Sequence, residues 1–187
     1  MGDLTEKMKS ENLKFCKVRK VKSPNRAHYD DAGFDMYVPE DLTIEEMREK
    51  FGTTGCYLGA SFDTETRVIS EFRLEPGESI LIPSGIKMNI PKGFAVIAFN
   101  KSGVAAKKGL LVGSAVCDES YTGEVHINLH NVSGKRQVIK AGDKIVQFLV
   151  IPINYCELEE IDTVEKLYRD TVNSGRGEGG FGSTDSK

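Results

Sequence analysis

SILIPSGIKMNIPKGFAVIAF, residues 79–99, is three short apolar runs cut by proline and glycine. Each run is too short for a core helix and rich in isoleucine or valine, and the breaks fall at residues that turns favour. The stretch predicts three strands joined by turns at Ser84-Gly85 and Lys92-Gly93. Short strands at that spacing point to an all-β fold, a jelly-roll or β-clip sandwich, rather than to alternating helices and strands. Helical periodicity is nearly absent from the rest of the chain.

Working outward, Val68, Ser70, Phe72 and Leu74 alternate as a strand closed by Pro76-Gly77. Residues 39–67 break the pattern. Thr43-Ile44-Glu45-Glu46 has the form of a capping box, and Ile44, Met47 and Phe51 recur at i, i+3 and i+7, which predicts a short amphipathic helix over 44–51, ended by Gly52-Thr53-Thr54-Gly55. The segment reads as an insertion on the surface of a β fold, either structural or a docking surface for a protein partner. Leu13 to Val21 predicts an opening strand, and residues 1–12 a loose lead. On the other side, Ala141 to Pro152 reads as a strand entered by a turn at Asp143 and Lys144, and Tyr155 to Arg169 as a last strand with a charged extension. Residues 173–187, NSGRGEGGFGSTDSK, have the composition of a flexible tail. One β domain over 13–172 is expected.

With 187 residues, 39% of them hydrophobic, the chain can fill one core. A net charge of −3 gives no basic footprint for duplex nucleic acid, though a free nucleotide needs only a few local groups. The four cysteines, at 16, 56, 117 and 156, stand singly without metal-binding spacing, which predicts reduced core thiols. No run approaches the about 18 apolar residues of a membrane span, and the polar N-terminus is unlike a signal peptide. A cytoplasmic protein is expected, in the host cytoplasm if the source is viral.

Chemistry concentrates in Gly113 to Asn131, GSAVCDESYTGEVHINLHN. An apolar run carries Asp118 into a polar turn, and Val125, Ile127 and Leu129 alternate on the return, which predicts a hairpin. Asp118 and Tyr121 on a rigid frame suit a general base beside an aromatic shelf; the turn also reads as a hairpin tip with a solvated aspartate. Asn100-Lys101-Ser102-Gly103 follows an apolar run and opens a short helix whose free N–H groups suit an anion, or is a plain cap. Asp35 is an acid among Phe34, Met36 and Tyr37, and Gln147 an amide in an apolar strand. Each needs a partner. In the tail, Arg176, Phe181, Ser183 and Thr184 among glycines describe a strap able to close over a nucleotide.

In company, these segments resemble the five ordered motifs of the trimeric dUTPase family: AGFDMY from Ala32, NKSG from Asn100, the D-x-x-Y-x-G turn from Asp118, GDKIVQ from Gly142 and RGEGGFGST from Arg176. The resemblance implies hydrolysis of dUTP to dUMP and pyrophosphate with Mg²⁺ on the triphosphate, limiting dUTP and supplying dUMP for thymidylate synthesis. It implies that Asp118 is the base, and that Lys101, Ser102, Gln147, Arg176 and Ser183 bind phosphate oxygens. The backbone from Val112 through Gly113 and Val116 to Cys117 would meet the uracil edge. Tyr121 would lie under the deoxyribose and Phe181 over the uracil. Gly103, Gly182, Thr184 and His126 complete the implied substrate contacts, and Asp35 would reach the metal through water. The family is homotrimeric, with sites shared between subunits.

Three departures stand out: Lys101 replaces an arginine fork by a point charge, Ala115 a frequent glycine, and Asp185 another. The related dCTP deaminases need a glutamate ten residues after the turn aspartate, where this chain has Asn128. A dUTP-binding regulatory protein that works through residues 39–67 is the other alternative.

Overall fold

The computed structural model describes residues 12–51 and 59–169. In chain order the elements are β1 (Lys14–Lys17), β2 (Phe34–Tyr37), α1 (Ile44–Phe51), β3 (Ala60–Phe62), β4 (Ile69–Leu74), β5 (Ser79–Asn89) and β6 (Phe94–Asn100). Then follow α2 (Ser102–Lys108), β7 (Leu110–Val112), β8 (Val116–Cys117), β9 (Glu124–Asn131), β10 (Gln137–Lys140), β11 (Lys144–Pro152) and α3 (Val164–Leu167). The strands form three antiparallel sheets, ordered β1-β5-β9-β7, β10-β4-β3 and β2-β11-β6-β8. The fold is all-β, as the punctuation of residues 79–99 predicts. Tyr155 onward is a separate unit, and its described part holds α3 and no strand, so the last strand expected from Tyr155 is absent.

Alternation builds the core. β9 buries Val125, Ile127, Leu129 and Asn131 and turns the even-numbered side chains to the other face. Asn131 is wholly buried because its amide is used in full: Nδ2 donates to the Leu74 and Lys135 carbonyls at 2.9 Å each, and Oδ1 accepts from the Ser133 N–H and hydroxyl.

Four expectations are corrected. The Ser84-Gly85 turn is a bulge inside one 11-residue strand, β5, whose register against β9 shifts between Pro83 and Lys87. Gly85 has φ +74, and a Cβ there would lie 2.8 Å from Val21, so only glycine fits the bulge. Second, β8 and β9 do not form the two arms of a hairpin. β9 pairs with β7 and β5, while β8 leaves to join β6 in the third sheet, so the Asp118 turn spans two sheets.

Third, α1 has the predicted limits but is not a surface element. Leu42, Ile44 and Met47 are buried in the main core, and Ile69 N–H donates to the Leu42 carbonyl at 2.7 Å. Thr43 Oγ1 accepts from Glu46 N–H at 3.3 Å, but the Glu46 carboxylate turns to Arg19 instead of completing the capping box. Fourth, Cys16 and Cys156 are exposed and Cys117 is half-buried, so the described thiols are free without being core residues. Two smaller differences follow: the opening strand is only four residues, and β3 was not anticipated. The lead over 1–11, the Gly52 to Gly55 stop and the strap lie outside the described residues. Among those described, no helix is long and apolar enough to cross a membrane.

Candidate active site

Two cavities gather most of the described candidate residues. The first, about 280 Å³, is lined by Val116, Cys117, Asp118, Tyr121 and His126 against Leu81 and Phe148. Its turn is fixed locally. Tyr121 N–H donates to the Asp118 carbonyl at 3.0 Å, and the Tyr121 hydroxyl donates to the Glu124 carbonyl at 2.8 Å. Glu119 Oε2 accepts from Gly93 N–H at 2.7 Å, which ties the turn to the β5–β6 connection. The phenol lies so close to Gly123 that a side chain there would strike it, which explains a glycine two residues after the tyrosine. Asp118 is exposed. Burial pushes the neighbouring Cys117 thiol up, and the Asp118 charge adds to the effect. A thiol so placed is protonated at neutral pH and does not compete as a nucleophile.

The second cavity, about 400 Å³, is lined by Asp35, Lys101 and Gln147 with Gly33, Phe99 and Asn100. Register explains the gathering. Gln147 on β11 stands opposite Asp35 on β2 and Phe99 on β6, so all three share one face of the sheet. Its neighbour Phe148 points to the other face and lines the first cavity.

Asp35 is 6% exposed, and its oxygens are divided between two ammonium groups: Lys101 Nζ at 2.9 Å from Oδ1 and Lys144 Nζ at 2.9 Å from Oδ2. Burial by itself raises this carboxyl. The bonds and charges of Lys101 and Lys144 outweigh it and hold the group below the ordinary aspartate range. Asp35 in turn raises the Lys144 ammonium. Gln147 Nε2 donates to the Asn100 carbonyl at 2.9 Å, and Asn100 Oδ1 accepts from Val112 N–H at 2.7 Å. Asn100 thus ties the strand of Gln147 to the strand that leads into the Asp118 loop.

Ser102 and Gly103 are exposed on the first turn of α2 and line neither cavity. Gly113 is exposed and Val112 half-buried, and neither lines either cavity. Arg176, Phe181, Gly182, Ser183 and Thr184 lie outside the described residues. Sequence reasoning missed Lys144, read as part of a turn, because its contact with Asp35 depends on a register shift between Lys144 and Val146. The role of Asn100 was open to notice, since it heads the NKSG segment. Among the described residues no three His, Cys, Asp or Glu side chains are placed to hold a metal ion, and Asp35 is committed to its lysines. The described donors do not form a Mg²⁺ site on their own.

A family model of dUTPase matches residues 59–185. The chain belongs to the dUTPase family. A deoxyuridine 5'-triphosphate nucleotidohydrolase of Desulfitobacterium hafniense (strain DSM 10664 / DCB-2) is 31% identical over 180 residues, 95% of this chain and 98% of the relative. The enzyme of that name from Corynebacterium jeikeium (strain K411) is 32% identical over 164 residues, 86% of this chain and 84% of the relative. Among solved structures, the dUTPase of Staphylococcus bacteriophage 80alpha with dUPNHPP shares the fold at a TM-score of 0.63 and 23% identity, covering 93% of this chain and 98% of that one. This dUTPase-family chain carries a carboxylate–phenol turn at one cavity and the Asp35–Lys101 ion pair at another.

Proposed function

We propose that the chain hydrolyses dUTP to dUMP and pyrophosphate by in-line attack of water on the α-phosphorus, with Asp118 as the general base. The observation that carries the reading is an exposed carboxylate and a tethered phenol on one fixed turn at a small cavity. Asp118 holds the water and takes its proton. The backbone from Val112 to Cys117 meets the uracil edge, and Tyr121 packs under the sugar where a 2'-hydroxyl would stand. Lys101 and Gln147 face the triphosphate, with Asp35 holding the Lys101 ammonium in place at 2.9 Å. Arg176, Phe181, Ser183 and Thr184 belong to this reading as strap contacts. Mg²⁺ carried by the triphosphate would supply charge neutralisation there.

The reading extends to a homotrimer with shared sites. The two cavities have no lining residue in common, and β11 sends Gln147 to one and Phe148 to the other. The face that holds Gln147 also presents Phe99, 42% exposed, and Val116, 63% exposed, an apolar surface suited to cover by another copy. The triphosphate on one copy then meets the Asp118 turn of a second. Free nucleotides of the cytoplasm are the proposed setting.

Deamination lacks a proton carrier. Asn128 donates to the Ile80 carbonyl at 3.1 Å, and its Oδ1 faces His130 Nε2 at 3.0 Å.

The test is pyrophosphate release from dUTP, dCTP, dTTP and UTP, each with Mg²⁺ and with EDTA, for the native chain and Asp118→Asn. Release from dUTP alone, reduced about 10²–10⁴-fold by Asp118→Asn with dUTP binding retained, is the expected result. Undiminished turnover in Asp118→Asn removes the general base from the reading.

A further inference from the structure

Arg19 lies between two carboxylates from distant parts of the chain. Nη1 and Nη2 donate to Glu46 of α1 at 2.9 and 2.5 Å, while Nε and Nη2 donate to Glu124 of β9 at 2.6 and 3.0 Å. The Arg19 and Glu124 side chains are only 13% and 10% exposed. Glu124 Oε1 also accepts from Gly85 N–H at 2.7 Å, which fastens it to the β5 bulge. A guanidinium with both edges engaged is a rigid, directional clamp, a geometry that a lysine cannot reproduce.

The clamp leads to the active site. Glu124 is held by its side chain, and its main-chain carbonyl is the acceptor for the Tyr121 hydroxyl at 2.8 Å. Only Thr122 and Gly123 separate the two residues, and Gly123 has no side chain to stiffen the connection. Partly buried ion clusters add little net stability over apolar replacements of similar volume, so the value of this one lies in the geometry it imposes.

We infer that Arg19, braced by Glu46 of α1, is a positioning residue for Tyr121: it fixes Glu124 and thereby the orientation of the phenol that selects deoxyribose over ribose. Residues 39–67 then serve the site from behind, through Glu46. The inference rests on the sugar-packing role given to Tyr121 above.

The test uses the full chain with Arg19→Met and Glu46→Gln, the second removing only the α1 half of the clamp should the first fail to fold. Calorimetry reads affinity for dUMP and UMP, turnover reads dUTP against UTP, and ¹³C-tyrosine NMR without nucleotide follows the Tyr121 ring, assigned with Tyr121→Phe. The expected result is a deoxyribose preference about tenfold lower in Arg19→Met and a smaller drop in Glu46→Gln, with the Tyr121 resonance shifted in both. Folded variants that keep the native preference and the native Tyr121 resonance overturn the inference alone. A native chain that binds dUMP and UMP alike overturns the sugar role of Tyr121 and the inference with it.

Discussion

Lys101 Nζ sits 2.9 Å from Asp35 Oδ1 across 66 positions of sequence, with Lys144 on the other oxygen. The carboxyl is held below the ordinary aspartate value of 3.8 in spite of its burial. A depressed acid stabilises the fold fully above its unfolded pKa, and the contribution is lost as pH falls through the native value. Asp35→Asn should therefore cost about 2 kcal/mol at neutral pH. Urea denaturation of both proteins along an acid series checks it. The gap should close as the pH drops below the native pKa of Asp35, and a gap independent of pH would mean that the lysine pairs are not its source.

Lys144 lines neither cavity but governs Asp35, so its loss should act on binding rather than chemistry. The pair is partly open to water, with the Lys144 side chain 36% exposed, which keeps the expected effect small. Lys144→Met should raise KM for dUTP about fivefold with kcat nearly unchanged. A matching fall in kcat would instead put Lys144 against the transition state.

The parts of the fold that were legible from sequence are those written in consecutive residues. The limits of α1 follow from Ile44, Met47 and Phe51, and the turns at Gly77 and Gly93 from glycines that adopt φ +83. The Asp118–Tyr121 turn is legible for the same reason, since one N–H bond across four residues closes it. Illegible were the features that depend on a distant partner. Ser84-Gly85 makes a bulge instead of a turn because Glu124, 39 residues on, takes the Gly85 N–H. Val116 and Cys117 leave the expected hairpin because β6 offers an edge. Lys144 reads as part of a turn and Arg19 as part of an opening strand, and nothing within a turn of either announces Asp35, Glu46 or Glu124.

Gly123 tests the Tyr121 tether at its narrowest point. A Cβ there would fall 2.5 Å from Tyr121 Cζ and 2.9 Å from Cε2, so the ring must swing and its hydroxyl must leave the Glu124 carbonyl. Gly123→Ala should lower kcat/KM for dUTP about tenfold and narrow the gap to UTP, with a stability change of about 1 kcal/mol from the lost hydrogen bond. Parallel kinetics with the two nucleotides decide it. An unchanged dUTP-to-UTP ratio would show that the phenol's position does not set sugar choice.

Met47 measures how far the 39–67 segment belongs to the fold. Its side chain is fully buried, Ile44 is 1% exposed, and both join the cluster that contains Ile69, Phe72 and Leu74 of β4. Deleting that side chain leaves a cavity in a shared core, for which Met47→Ala should cost about 3 kcal/mol. A helix resting on the surface would lose no more than about 0.5 kcal/mol. Thermal unfolding distinguishes the two, and a midpoint unmoved by Met47→Ala would return α1 to the surface. The same packing bears on how a partner at this segment is to be sought. Removing residues 39–67 takes out core side chains together with any outer face, so lost turnover in a deletion reports misfolding as readily as lost contact. Single substitutions at exposed Glu45 or at Arg67, paired at 2.7 Å on the outside of α1, leave the core intact and isolate the outer face.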